Sequence, residues 1–461
     1  MKGVKAMKDW VSKASIYHIY ALGFCGGEEI NSEQVLVKNR IKKVLDWIEH
    51  FKTLGVNTIL FSPVFESTSH GYDTADYRKL DKRLGTNEDF KVVCKELHKE
   101  GFRIILDGVF NHVGRDFFAF KDLQDKKCDS KYKDWFVGVN FSGSSPYQDP
   151  FSYEAWEGHY NLVKLNLWNQ EVRDYLFGSV KFWIEDFDID GLRLDVAYCM
   201  DQDFLGGLRN FVDTQKQDFW LMGEMIHGDY SRLIKPELLH ATTNYECYKG
   251  IYSSHNDQNY FEINHSLNRL FGKGGLCENL SLYNFVDNHD VERIGSSLKE
   301  KKHLENVYTL LFTMPGVPSI YYGSEWGIEG KKEKGSDKSL RPELDLEVML
   351  EKDQSLVEHI GKLSSIRQKY VSLYKGSYEQ VIVRNKQLIF ARTLGEEKVY
   401  VALNLAETPE TLTFQGNSEQ PLSNALDEEE ELLLAENSQY HIQLKPYSGK
   451  ILVSSPKEIE S

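Results

Sequence analysis

Residues 188–199 read Asp188-Ile189-Asp190-Gly191-Leu192-Arg193-Leu194-Asp195-Val196-Ala197-Tyr198-Cys199. Leu192 and Leu194 alternate with Arg193 and Asp195, and side chains two apart on a strand share a face, so the guanidinium and carboxylate are expected to be neighbours. An adjacent cation favours the ionised carboxylate, which suits a nucleophile that must stay charged at neutral pH. A structural ion pair at a strand end would give the same pattern. What flanks the stretch decides between the two.

Upstream, Val172 to Glu185 has helical spacing, and before it Phe102 to Leu106 forms an apolar strand that follows a helical Glu88 to Lys99. Further back, Ile16 to Tyr20 and Asn57 to Phe61 read as strands separated by a helical pattern from Lys38 to Leu54, with Ile41, Val44, Leu45, Ile48 and Phe51 on one face. Downstream, Phe219 to Met222, Ser281 to Val286 and Pro318 to Tyr321 supply strands, with helical segments near Asn259 to Leu270 and His303 to Phe312. Repeated strand-helix units build a parallel sheet, and about eight of them in some 350 residues predict a closed (β/α)8 TIM barrel carrying insertions. Between His112 and Asn166 the helical signal fades into Gly, Ser, Asp and aromatic residues, too long for an ordinary connection, which predicts an inserted subdomain after the third strand. After Tyr370 short alternating runs such as Val381-Ile382-Val383 and Val399 to Leu403 predict a C-terminal antiparallel β-sandwich. The expected division is barrel 1–111, subdomain 112–166, barrel 167–372 and β-domain 373–461.

Composition narrows the function. The chain has 461 residues and a formal charge of −15. Nucleic acid and anionic membrane surfaces need clustered Lys and Arg, so neither is an expected partner, and a neutral substrate fits better. No segment offers the roughly 20 apolar residues of a membrane span, and no apolar leader is evident, so a soluble cytoplasmic protein is expected. The six cysteines, at 25, 94, 128, 199, 247 and 277, form neither a C-x-x-C pair nor a Cys/His cluster, which argues against zinc and for reduced thiols.

In a parallel barrel the residues just past the strand C-termini converge on one face. Asp107-Gly108-Val109-Phe110-Asn111-His112 follows the third strand, Arg193 and Asp195 the fourth, Gly223-Glu224 the fifth, and Phe285-Val286-Asp287-Asn288-His289-Asp290 the seventh. Asp195, Glu224 and Asp290 thus occupy equivalent places on different strands. Retaining glycoside cleavage needs such a set: an ionised nucleophile, a protonated acid, and further negative charge for an oxocarbenium-like transition state.

These four clusters, in this order, resemble the signature regions of the α-amylase superfamily of glycoside hydrolases. His70-Gly71-Tyr72-Asp73, Lys164-Leu165-Asn166 and Gly316 to Gly323 agree with it too, so the resemblance spans nearly the whole chain. It implies Asp195 as nucleophile, Glu224 as general acid/base and Asp290 as transition-state stabiliser. Glu224 follows apolar residues and has no Arg beside it in sequence, so burial and nearby carboxylates are expected to keep it protonated. The resemblance further implies His112, His289 and Arg193 at the cleavage subsite, Tyr72 as a stacking platform, and Asp337 with Arg341 as a donor-side pair. Asp73 and Asp76 are expected to make structural bonds within their loop. Asp195-Val196-Ala197 and the Lys164-Leu165-Asn166 ending are similar to the neopullulanase, cyclomaltodextrinase and maltogenic amylase branch. The chain departs from that branch where the first barrel strand begins near residue 16, where Tyr198 and Cys199 replace a polar pair, and where Ile226 replaces an aromatic, which implies one acceptor stacking surface fewer. Asn111 matches a ligand of the calcium site of many members, but Cys199 stands where another ligand is common, so no obligatory metal and no cofactor is expected. The expected activity is retaining hydrolysis of α-1,4 bonds in short linear or cyclic maltodextrins. A 4-α-glucanotransferase using the same site, or a non-catalytic glycan-binding relative, are the alternatives.

Overall fold

The computed structural model describes residues 9–416 and 420–454; the lysine-bearing start of the chain lies outside them. Eight parallel strands close a barrel: β1 (Ile16–Ile19), β2 (Thr58–Phe61), β3 (Arg103–Gly108), β4 (Gly191–Leu194), β5 (Trp220–Gly223), β6 (Ala241–Thr243), β7 (Ser281–Asn284) and β8 (Val317–Tyr321). Each strand pairs with its sequence neighbours, and β8 closes against β1. Inward residues such as Ile16, Leu60, Ile105, Trp220, Met222 and Val317 form one apolar cluster, so the barrel is filled rather than hollow.

The outer helices carry local signals that explain their ends. Helix α1 (Asn87–Lys99) starts with a capping box in which Thr86 and Asp89 satisfy each other's free N–H groups. Helix α2 (Gln170–Phe187) is capped by Asn169 and ends with Asp188 in the left-handed region, at φ 55°. Asp190 then anchors the lower end of β4: it accepts from His98 at 3.0 Å, Arg103 at 2.8 Å and the Ile104 N–H at 2.9 Å. These bonds and Lys216 outweigh its burial and hold its carboxyl at about 2. Of the three acids in the opening stretch, Asp190 is therefore structural and Asp195 lies at the other end of the strand. Helices α3 (Gln202–Gln215), α4 (Tyr245–Asn256), α5 (Phe261–Phe271), α6 (Leu304–Thr313) and α7 (Ser355–Lys369) complete the set used below.

Three differences from the pattern reading have physical causes. The helix expected over Lys38 to Leu54 is broken into Arg40–Lys42, Lys43–Asp46 and Ile48–Thr53, with the break at Trp47, whose buried indole packs edge-on against Phe24 and Trp326. Strand β6 has only three residues, all small, and gives no apolar run to read. The insertion holds a helix, Phe118–Lys126, beside its three-stranded sheet, in which His112–Gly114 pairs with His159–Lys164.

Past α7, a five-stranded and a three-stranded antiparallel sheet pack through Ile389, Tyr400, Phe414 and Ile442. All six cysteines are free. No helix among the described residues is long and apolar enough to cross a membrane.

Candidate active site

A cavity of about 560 Å³ opens at the C-terminal ends of the barrel strands. Tyr72, His112, Asp195, Glu224, Asp290, Asp337 and Arg341 all line it. Arg193 and His289 sit behind its wall, 5% and 1% exposed.

Arg193 organises the floor. Its guanidinium donates to both carboxylate oxygens of Asp107 at 3.0 and 2.8 Å and to Asp195 Oδ1 at 2.9 Å, and its other terminal nitrogen lies 2.8 Å from Glu224 Oε1. The two-residue spacing thus brings Arg193 and Asp195 together as the alternation predicts. The expectation that Glu224 has no Arg beside it is overturned. Arg193 on β4 registers with Met222 on β5, and Glu224 lies two residues further along on the same face. Arg193 does act to lower the Asp195 pKa, as expected, but the net shift is upward. Burial, with Glu224, Asp107 and Asp290 nearby, holds the Asp195 carboxyl well above its usual range despite the guanidinium. One cation shared among three carboxylates cannot neutralise each of them, and burial raises the Asp107 carboxyl as it does Asp195.

Glu224 is fixed by neutral donors too. The Val196 N–H donates to Oε2 at 2.9 Å and the Tyr245 hydroxyl to Oε1 at 3.3 Å. Val196 achieves this with φ at 41°, a left-handed conformation that a β-branched residue adopts only where the surroundings enforce it. Gly223 is required on packing grounds: a Cβ there would lie 2.4 Å from Leu239 Cδ1 and 2.7 Å from Ala197 Cβ.

Asp290 stays ionised. Burial opposes ionisation, but His289, whose Nε2 lies 3.0 Å from Oδ2, together with Arg341 and Arg193, holds its carboxyl far below the usual range. Arg341 donates to Asp290 Oδ1 at 3.2 Å, Asp337 Oδ2 at 3.0 Å and the His289 carbonyl at 3.0 Å, and its guanidinium lies 4.6 Å above the Tyr20 ring. Tyr72 donates to Asp107 at 3.0 Å and lies parallel to the His289 ring, 5.3 Å between centroids. Burial pushes the His112 imidazole down to about 3, so it is neutral; its Nε2, 3.9 Å from Asp195 Oδ2, has no protein hydrogen bond.

Several lining residues carry no signal in the sequence. Trp156 and His159 stack on each other at the turn of the insertion's hairpin, and Trp156 lies 5.7 Å from the His112 ring. Tyr245 follows the unreadable β6, and Lys332 enters on the loop after β8. Past Asp337 and Arg341 the cavity continues into a second one of about 540 Å³.

The Asn111 side-chain amide is 3.2 Å from His112 Nδ1, and no group of three or more His, Cys, Asp or Glu side chains among the described residues could hold a metal ion.

Comparison with known proteins agrees with this geometry. An intracellular maltogenic amylase of Bacillus subtilis is 30% identical over 409 residues, covering 84% of this chain and 68% of that protein. Neopullulanase 2 of Thermoactinomyces vulgaris is 30% identical over 469 residues, covering 96% and 78%. The ligand-free cyclic α-maltosyl-(1→6)-maltose hydrolase of Arthrobacter globiformis superposes with a TM-score of 0.82 at 25% identity, covering 98% of this chain and all of that one. Because the α-amylase catalytic domain profile matches residues 39–354 and relatives at this identity align over most of the chain, the protein belongs to the α-amylase family of glycoside hydrolases.

Proposed function

We propose that the protein is a retaining hydrolase of α-1,4 bonds in short linear or cyclic maltodextrins. The observation that carries this reading is the convergence of Asp195, Glu224 and Asp290 in one cavity, with Asp195 and Glu224 on the same guanidinium. Two carboxylates held that closely favour the separation of about 5 Å of a retaining pair over the wider gap that must admit a water.

Glu224 gives its proton to the glycosidic oxygen as Asp195 attacks the anomeric carbon, and the departing sugar leaves with that proton. Glu224 then takes a proton from water, whose oxygen releases the glycosyl group from Asp195 and restores both side chains. Asp290, kept ionised by His289 and Arg341, stabilises positive charge developing on the sugar ring. Neutral His112 directs a free ring nitrogen at the sugar next to Asp195, and Tyr72 offers an apolar ring face. His289, behind the wall, positions Tyr72 and Asp290. The reaction as proposed has no calcium-dependent step.

Maltodextrin specificity rests on the relatives, which include a maltogenic amylase, cyclomaltodextrinases and a neopullulanase. A product profile over maltotriose, β-cyclodextrin, pullulan, panose and starch tests it. Cleavage of maltotriose and β-cyclodextrin ahead of starch is expected. Longer oligomers accumulating from concentrated maltotriose would assign the site to transfer instead, and no cleavage of any α-glucan would overturn the proposal.

A further inference from the structure

Strand β8 ends at Tyr321, and Tyr322 begins the loop that returns over the catalytic cavity. Both rings are buried, yet each phenol reaches the same later stretch of that loop. The Tyr321 hydroxyl donates to the Leu340 carbonyl at 3.0 Å and the Tyr322 hydroxyl to the Pro342 carbonyl at 2.8 Å. Arg293, buried on the loop after β7, donates from Nη2 to the Leu340 carbonyl at 2.9 Å. Its Nη1 donates to the Tyr322 carbonyl at 2.8 Å and to Ser324 Oγ at 3.1 Å, and its guanidinium lies 4.5 and 5.0 Å from the centres of the Tyr321 and Tyr322 rings. Gly23, on the loop after β1, packs on the same stretch from another side: a Cβ there would lie 2.2 Å from the Arg341 carbonyl oxygen.

Between Leu340 and Pro342 stands Arg341, whose guanidinium bonds Asp290 and Asp337. The buried donors grip its backbone, not its side chain. They also tie that backbone to the loop that carries Asp290, because Arg293 lies three residues beyond Asp290. That loop is pinned in turn where Asp287 Oδ2 accepts from the Ile294 N–H and the Ser324 hydroxyl, both at 2.7 Å. The loops after β7 and β8 are thus joined at two levels, at the Arg341–Asp290 pair in the cavity and at the buried Arg293. The upper joint depends on the lower one. Arg341 meets Asp290 at 3.2 Å, and a backbone shift of about 1 Å would take that bond out of reach, a misplacement of the size that is costly to catalysis. A forked, planar cation on carbonyl acceptors fixes direction as well as distance.

We propose that Arg293 and Tyr321 are positioning residues: by holding the Leu340 carbonyl they aim Arg341 at Asp290. Neither lines the catalytic cavity, so their influence on a bound sugar passes through Arg341. The proposal rests on the α-glucan hydrolase reading above and goes beyond it by giving a role in the reaction to two side chains that meet no substrate.

The test is a double-mutant cycle. Tyr321→Phe, which removes one hydroxyl, and Arg293→Lys, which keeps the charge but loses the fork, are each made in wild type and in Arg341→Ala. Kinetics are measured on maltotriose, and its binding is measured by calorimetry with Glu224→Gln added to prevent turnover. With Arg341 present, each substitution is expected to lower kcat/KM and to weaken binding by about fivefold. In Arg341→Ala the same substitutions are expected to cost less than about twofold, because the side chain they aim is gone. A merely structural role would cost the same in both backgrounds. An equal loss in both, or no loss with Arg341 present, overturns the positioning role and leaves the hydrolase reading intact. Tyr321→Phe decides alone if Arg293→Lys does not fold. Non-additive binding by an enzyme whose wild type cleaves no α-glucan supports the positioning role and overturns the hydrolase reading. A wild type that neither binds nor cleaves maltotriose overturns both.

Discussion

Replacing Arg193 with Met keeps most of the side-chain volume and removes the only cation among the described residues that bonds Asp107, Asp195 and Glu224 together. All four side chains are nearly inaccessible, so solvent cannot replace the lost charge. Removing one partner of a buried pair costs about 3–5 kcal/mol while the other remains ionised. The deficit should depend on pH, and its sign follows from the carboxyls. Asp107 and Asp195 have pKa values raised in the folded protein, so their contribution to stability is complete below the unfolded value of about 3.9 and is lost as pH rises through the folded values. Loss of Arg193 raises those values further and extends the loss toward neutral pH. Each extra proton bound by the folded variant returns about 1.4 kcal/mol per pH unit, so the deficit should shrink as pH falls from about 8 to 6, by up to roughly 3 kcal/mol for one such proton. Urea unfolding of both proteins at several pH values, followed by tryptophan fluorescence, measures this. A deficit of the same size at both ends of that range would refute the shared-cation account, as would a variant as stable as wild type at pH 8.

Further outcomes follow from the same geometry. Asp195→Asn or Glu224→Gln should reduce maltotriose turnover by about a thousandfold or more while calorimetric binding of a maltodextrin persists, and substantial residual turnover by Asp195→Asn would remove it as the nucleophile. Arg341→Ala should raise KM for maltotriose by about tenfold, since it loosens Asp290 and opens the donor-side wall; unchanged kinetics would exclude that role. Gly223→Ala, which drives a Cβ against Leu239 and Ala197, should cost about 1–3 kcal/mol of stability and lower kcat by displacing Glu224. Exhaustive chelation should leave activity unchanged, and a loss restored by added calcium would overturn the expectation of no obligatory metal.

The sequence reveals what local chemistry dictates. Alternation places Arg193 beside Asp195 without knowledge of any other strand, and apolar runs with helical partners reveal seven of the barrel's eight strands. The eighth, Ala241–Thr243, is too short and too small to register, and Tyr245 behind it stays unseen although it bonds Glu224. Contacts between strands are likewise hidden: that Arg193 also grips Glu224 and Asp107 depends on barrel register, as does the rise in the Asp195 pKa. The left-handed Val196 has no signal of its own, because β-branched residues avoid that conformation unless packing enforces it. Trp156 and His159 lie in an insertion whose sequence shows only fading helical signal, and only the packing of its hairpin beside the barrel makes them a wall of the site.

The central claim is that Asp195 forms a covalent bond to the sugar while Glu224 handles the proton. Incubation with a 5-fluoro-α-glucosyl fluoride, whose second fluorine slows breakdown of the intermediate, followed by peptide mass spectrometry, tests it most directly. The account predicts a glycosyl adduct on the peptide spanning residues 188–199, localised to Asp195 and absent from Asp195→Asn. An adduct on another residue, or an enzyme that turns over maltotriose while releasing the β-anomer and forming no adduct, would contradict it.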